Sequence, residues 1–137
     1  MTAMEKVAWT ELVVSLGASA IVIALYPWLG MASVSAFALM ALVVFGGLFL
    51  RRHGNAVFVD ERDREIERRA IRVAVSVSWM CLLGGLITAC MWSGFMKNNS
   101  VPPSILNWLV WTQFPIVYGI KGLMSIYAYR KESRYAA

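Results

Sequence analysis

Long hydrophobic runs separated by short polar stretches form the main pattern of this 137-residue chain. A transmembrane helix needs roughly 20 mostly apolar residues. Four runs reach that length, at about 7–29, 32–50, 70–95 and 104–129. Because lipid offers backbone groups no hydrogen-bond partners, each run is expected to be α-helical. The pattern predicts one all-α domain over residues 1–137, an integral membrane bundle of four transmembrane helices.

A charged segment at residues 60–72 interrupts the hydrophobic pattern. It holds five of the eight acids of the chain and five of its thirteen Lys and Arg residues. Asp60 is a suitable N-cap, and the acids precede the bases in the order that complements a helix dipole. The segment is therefore predicted to be a charged cytoplasmic extension of the third transmembrane helix, which begins within a cytoplasmic loop at 51–69.

The distribution of basic residues predicts the orientation in the membrane. Eleven bases fall on one side and only Lys97 on the other; the eleven are Lys6, Arg51, Arg52, Arg62, Arg64, Arg68, Arg69, Arg72, Arg130, Lys131 and Arg134. By the positive-inside rule, both termini and the central loop are cytoplasmic. The first run lacks the features of a cleaved signal peptide and is expected to stay as a span. The net charge of +5 therefore reflects topology, and we expect no nucleic-acid partner.

The charged residues around the central loop have two interpretations. They form either a solvated face with snorkelling arginines or a docking surface for a protein partner or a lipid headgroup. The candidate contact residues are Arg51, Arg52, Asp60, Glu61, Arg62, Asp63, Arg64, Glu65, Arg68 and Arg69.

Two ionisable residues, Glu11 and Lys121, lie inside predicted spans. An unpaired charge in the hydrocarbon region costs about 3 kcal/mol or more. Because their predicted depths are similar, the two side chains are candidates for an ion pair between the first and fourth runs. Glu11 is alternatively a proton or cation site for transport. A third interpretation places Glu11 at the headgroup level, with Lys121 snorkelling.

Small residues recur along the third run at alternating spacings of four and three. This spacing predicts one helix face for close packing, either within the monomer or between subunits. The residues concerned are Ala74, Ser78, Cys81, Gly85 and Thr88.

No residue constellation indicates catalysis, a metal site or a cofactor. Cys81 and Cys90 are nine residues apart on one predicted helix and face opposite sides. The single histidine, His53, does not suffice for a zinc or bis-histidine haem site. We expect no enzymatic activity, no metal and no cofactor.

Two motifs carry a resemblance to a known family. One is the opening Glu5-Lys6-Val7-Ala8-Trp9-Thr10-Glu11-Leu12-Val13-Val14, and the other is the charged stretch at 59–69. Together they resemble a set of uncharacterised small four-helix bacterial membrane proteins. The resemblance implies a bacterial inner (plasma) membrane protein without catalytic residues. It also implies a regulatory setting, because such proteins often lie beside small helix-turn-helix regulators.

Two functions therefore remain open. The first is an interaction or regulatory module in the lipid bilayer that contacts a cytoplasmic protein through its charged helix. The second is a small homo-oligomeric transporter or channel that uses Glu11, Lys121 and the polar face of the fourth run. In either case we expect a homo-oligomer or a subunit of a larger membrane complex.

Overall fold

The computed structural model describes residues 3–47, 60–95 and 100–135. These residues form helix α1 (Ala3–Leu29), a 3₁₀ helix (Gly30–Gly47), helix α2 (Glu61–Phe95) and helix α3 (Pro103–Tyr135). The described part of the chain is therefore all helical. The first nine residues of the predicted cytoplasmic loop, 51–59, lie outside it.

The predicted bundle of four transmembrane helices is wrong. Within the described ranges, two segments are long and apolar enough to cross a membrane, Met4–Val43 and Glu61–Phe95. The described part of the second hydrophobic run is a 3₁₀ helix that follows α1 directly, so the first of these segments consists of most of α1 and most of this 3₁₀ helix. The fourth run forms α3, which is not one of the two segments because polar residues such as Asn107, Gln113 and Lys121 lower its apolar content. The length of a hydrophobic run does not show whether the run forms an α-helix or a 3₁₀ helix. It also does not show how many polar residues interrupt the run.

Helix α1 and the 3₁₀ helix meet at Gly30 and pack against each other. Gly30 has a φ of 54°, the left-handed conformation that ends many helices and that glycine adopts without steric cost. Along the 3₁₀ helix, the buried residues Val34, Phe37 and Met40 recur every third position, the period of that helix. They form a hydrophobic core with Ala18 and Val22 of α1.

Helix α3 occupies the centre of the molecule, because it packs against α1, the 3₁₀ helix and α2. Its Trp108 makes edge-to-face contacts with Tyr26 of α1 and Phe37 of the 3₁₀ helix, with ring centroids 5.9 and 6.3 Å apart. Where α3 meets α1 and α2, the positions of the side chains therefore depend on how α3 packs against both helices.

Helix α2 begins at the residue that the capping pattern indicates. Oδ1 of Asp60 accepts a hydrogen bond from the backbone N–H of Glu61, and the backbone carbonyl of Asp60 accepts one from the backbone N–H of Arg64.

Further along, the large apolar side chains of α2 face outward. Trp79, Met80, Leu83 and Ile87 are between 52% and 75% exposed. A soluble core helix would bury such residues, whereas a lipid-facing helix exposes them.

Candidate functional site

Three charged side chains from three helices meet in one cluster. Nζ of Lys121 on α3 lies 2.7 Å from Oε1 of Glu11 on α1 and 3.1 Å from Oε1 of Glu67 on α2. The side chains of Glu11 and Lys121 are only 6% and 12% exposed, while that of Glu67 is 44% exposed. This Lys121 cluster (Glu11, Glu67 and Lys121) joins a buried carboxylate to one at the surface and connects all three α-helices.

The backbones of α1 and α3 approach closely beside the cluster. A Cβ atom on Gly122 would lie 2.8 Å from the carbonyl oxygen of Ala8 and 3.0 Å from the amide nitrogen of Leu12. Only glycine allows this distance between the helices. Because Gly122 directly follows Lys121, the close approach brings the lysine side chain within reach of Glu11.

The cluster contains one positive and two negative side chains. A charge buried without a partner is costly, whereas a hydrogen-bonded partner offsets much of the loss of solvation. The distance of 2.7 Å between Lys121 and Glu11 is typical of a charge-assisted hydrogen bond. Removal of Lys121 would leave two carboxylates facing the same space. Lys121 is therefore the member on which the cluster depends.

Glu67 is the member that the sequence analysis missed. A signal for it was present in the stripe of small residues that includes Ala74. From Ala74, steps of four, three and four toward the amino terminus lead to Ala70, Glu67 and Asp63. Ala70 and Ala74 are buried. The helical period therefore places Glu67 and Asp63 on the face of α2 that packs against α3.

Two further contacts lie near the cluster. The hydroxyl of Tyr129 on α3 donates a hydrogen bond to Oδ1 of Asp63 on α2, with 2.9 Å between the oxygens. The guanidinium carbon of Arg130 lies 5.5 Å from the ring centre of Trp9 on α1, a cation–π distance. The amino-terminal parts of α1 and α2 and the carboxy-terminal part of α3 thus lie together. We call this the charged end of the molecule.

A small cavity of about 20 Å³ adjoins the Lys121 cluster. That space accommodates about one water molecule. It is too small for a hydrated metal ion or an organic substrate, so the cluster in this conformation contacts its own members rather than a solute. Besides the cluster, the cavity is lined by Met4, Val7, Ala8, Ser125 and Tyr129.

The acids of the charged segment make contacts within the molecule. Asp60 caps α2, Asp63 accepts the hydrogen bond of Tyr129, and Glu67 contacts Lys121. Oε1 of Glu65 accepts a hydrogen bond from Nε of Arg69 at 2.8 Å. Glu61 is exposed in the first turn. The segment therefore uses most of its negative charge to start α2 and to bind its own side chains.

The arginines of the same segment face outward. Arg64, Arg68 and Arg72 are exposed and follow one another at intervals of four residues, so they form a row along one side of α2. We call these three residues the arginine row. Arg62 and Arg69 are also exposed but lie on a neighbouring side of the helix. The candidate residues Arg51 and Arg52 lie outside the described ranges.

The predicted small-residue stripe makes part of the contact between α2 and α3. Ala74 and Ser78 are buried, and the hydroxyl of Ser78 donates a hydrogen bond to the side-chain oxygen of Gln113. A Cβ atom on Gly85 would meet the side chain of Leu109. The close packing of α2 and α3 at this position therefore depends on the absence of a side chain from Gly85. These positions bring the two helices together as the spacing indicates.

The alternating spacing does not hold along the whole of α2. Cys81 and Thr88 are exposed within the described molecule, so of the two predicted roles a contact between subunits stays a prediction for them. The buried positions advance in steps of four, through Ile66, Ala70, Ala74 and Ser78. Steps of four follow one ridge of side chains on a helix. The strict four-three repeat that selects Cys81 belongs instead to a supercoiled pair.

Among the described residues, no group of three or more His, Cys, Asp or Glu side chains is arranged to hold a metal ion. His53 lies outside those ranges.

A family profile described as "Predicted membrane protein (DUF2178)" matches residues 10–132. The match confirms the expectation of a membrane protein. It includes the charged stretch at 59–69 and the second half of the opening motif, residues 10–14. No curated protein and no solved structure matches the chain.

Proposed function

We propose that this chain, which belongs to the DUF2178 family of predicted membrane proteins, is a small non-enzymatic interaction module of a bacterial inner membrane. Through the charged start of α2 it contacts a cytoplasmic protein and thereby recruits or regulates that protein. The family and the two apolar segments support the membrane setting.

The orientation that we propose places the charged end in the cytoplasm. Basic residues of all three α-helices lie in this part of the molecule, including Lys6 on α1, the arginines of α2, and Arg130 and Lys131 on α3. Since Lys and Arg are concentrated on the cytoplasmic side of membrane proteins, this end and both termini are expected there.

The arginine row is the observation that supports an interaction most directly. Like charges at intervals of four residues destabilise a helix by about 0.2–0.5 kcal/mol per pair. Asp63 and Glu67 contact Tyr129 and Lys121 instead of the row, and Glu65, which pairs with Arg69, offsets the repulsion only in part through its attraction to Arg68 and Arg72. An acidic protein surface would relieve it. The partner is therefore expected to present carboxylates toward α2.

The test is the composition of the complex extracted in a mild detergent. We expect the native mass to show a foreign subunit in fixed stoichiometry. The double variant Arg64→Glu/Arg68→Glu should release that subunit without loss of helicity. The matched control is Arg62→Glu/Lys131→Glu, which changes the charge equally beside the row and should retain the subunit. A complex that contains only copies of this chain, or equal release by both variants, would contradict the proposal.

Transport is the second candidate, and the Lys121 cluster is the observation that favours it. Two carboxylates around one lysine leave an excess negative charge beside a small cavity. The size of that cavity argues against a larger solute and limits the candidates to protons or small cations. Glu11→Gln should abolish flux into proteoliposomes if the chain is a transporter. A homo-oligomer with such flux would favour this function over the interaction module.

A further inference from the structure

Ser125 of α3 differs from the other buried serines in the described ranges. Ser15 and Ser33 donate hydrogen bonds to carbonyl oxygens of their own helices. Ser78 donates one to the side chain of Gln113. Ser125 is only 6% exposed, yet its hydroxyl forms no hydrogen bond with any described residue. Because a buried hydroxyl is costly without a partner and usually binds protein atoms or ordered water, Ser125 indicates a small bound molecule.

Ser125 lines the small cavity beside the Lys121 cluster. The ammonium group of Lys121 has three N–H groups, and two of them face Oε1 of Glu11 and Oε1 of Glu67. Oε2 of Glu11 accepts no hydrogen bond from a described residue, although the side chain is only 6% exposed. One donor of Lys121 and one carboxylate oxygen of Glu11 are therefore available within the described molecule, and both residues line the same cavity as Ser125.

The size and the walls of the cavity limit what it can hold. Its volume of about 20 Å³ suits one water molecule, which needs two to four polar partners. The third N–H of Lys121, Oε2 of Glu11 and the hydroxyl of Ser125 are three such partners. A dehydrated metal ion would need several more oxygen ligands and would lie beside the positive charge of Lys121. Met4 and Val7 add only apolar wall, so the cavity favours water.

We infer that this cavity binds one internal water molecule, which completes the Lys121 cluster. The water donates a hydrogen bond to Oε2 of Glu11 and accepts hydrogen bonds from Nζ of Lys121 and from the hydroxyl of Ser125. It connects α1 to α3 a second time, next to the direct bond between Glu11 and Lys121, and both carboxylate oxygens of Glu11 are then hydrogen-bonded. The inference is independent of the proposed partner, because the arginine row lies on the exposed surface of α2.

The test is water-edited solid-state NMR of the full-length protein in lipid bilayers. This experiment measures the transfer of proton magnetisation from water to assigned carbon atoms. We expect the initial transfer to the carboxyl carbon of Glu11 and to Cβ of Ser125 to be several times faster than the transfer to Cβ of Ser78. Ser78 is the matched reference, because it is 5% exposed and its hydroxyl is already bonded to Gln113.

Two variants of Ser125 and one matched control locate the water. Ser125→Val fills the cavity and should lower the transfer to Glu11 to the level seen at Ser78. Ser125→Ala leaves the space and both charged partners, so the transfer to Glu11 should persist. Ser35→Val makes the same change at an exposed serine of the 3₁₀ helix and should leave the transfer to Glu11 unaltered.

Four outcomes would overturn the inference. The first is equally slow transfer to Glu11, Ser125 and Ser78 in the unaltered protein. The second and third are unchanged transfer to Glu11 in Ser125→Val and lost transfer in Ser125→Ala. The fourth is a decrease in this transfer on titration with sodium chloride, which would show a cation in place of water. Helicity by circular dichroism identifies misfolded variants, and the comparison within the unaltered protein remains decisive if Ser125→Val does not fold.

Discussion

The Cα of Gly122 on α3 packs directly against the backbone of Ala8 on α1. A Cβ atom on Gly122 would lie 2.8 Å from the carbonyl oxygen of Ala8, and a carbonyl oxygen in a helix cannot move independently. The two helices approach so closely that the position tolerates only hydrogen in place of a side chain. This contact lies next to the Lys121 cluster and determines the distance across it.

The first prediction concerns this contact. Gly122→Ala should destabilise the protein by about 1–3 kcal/mol, because the added methyl group forces α1 and α3 apart. The comparison variant is Gly119→Ala, whose Cβ would meet the side-chain oxygen of Ser15 at 2.9 Å. Since a hydroxyl can rotate away, this change should cost less. Thermal unfolding in detergent measures both, and equal losses would contradict the explanation.

A second prediction concerns the Lys121 cluster. Lys121→Met should destabilise by about 3–5 kcal/mol, because it leaves the buried carboxylate of Glu11 without its partner. Glu11→Gln should cost less, about 1–2 kcal/mol, because the amide keeps a hydrogen bond and Glu67 still contacts the lysine. Replacement of both charges in Glu11→Leu/Lys121→Met should recover part of the stability. The measurement is the free energy of unfolding, and a double variant less stable than Lys121→Met would argue against the pair.

The third prediction contrasts two glycines without neighbours. Gly30 has a φ of 54° and Gly17 lies within α1, and a Cβ atom on either would meet nothing within 4 Å. Gly30→Ala should destabilise by about 1–2 kcal/mol, because an L-residue is strained in that conformation. Gly17→Ala should stabilise by about 0.5–1 kcal/mol through helix propensity. The opposite signs are measurable as shifts in the unfolding midpoint, and shifts of the same sign would contradict the role of Gly30.

A fourth prediction concerns the contact between Tyr129 and Asp63. Tyr129→Phe removes the hydroxyl that donates to the carboxylate and should cost about 1 kcal/mol. A double-mutant cycle with Asp63→Asn isolates the pair, because each single change alters the same hydrogen bond. A coupling energy near zero would show that the two side chains act independently. Hydrogen exchange at the first turns of α2 should increase in the tyrosine variant.

The sequence predicts the charged end better than the number of spans. The cost of an isolated charge gave a reason to expect a partner for Glu11 and for Lys121, and the two lie in contact. The preference of Asp for the N-cap likewise located the start of α2 at Asp60. Both arguments are local and depend on the chemistry of single residues.

Other features depend on how helices pack, which one-dimensional patterns do not specify. In the sequence Glu67 resembles its charged neighbours. It differs from Glu65 because Glu67 lies on the face of α2 that packs against α3 and contacts Lys121, whereas Glu65 pairs with Arg69 of its own helix. Cys81 fits the four-three repeat, yet its side chain is exposed within the described molecule. The second hydrophobic run was long enough for a span, yet hydropathy carries no information about a three-residue period.

The central position of α3 has a consequence for biosynthesis. Lys121 follows Glu11 by 110 residues, so at ordinary rates of translation it leaves the ribosome on the order of ten seconds later. Until then α1, the 3₁₀ helix and α2 have been made without the helix that all of them contact. Of the described helices, the one synthesised last is the one that completes their tertiary contacts. A nascent chain interrupted before α3 would therefore expose an unpaired glutamate and the surfaces of two unconnected helical units to quality control.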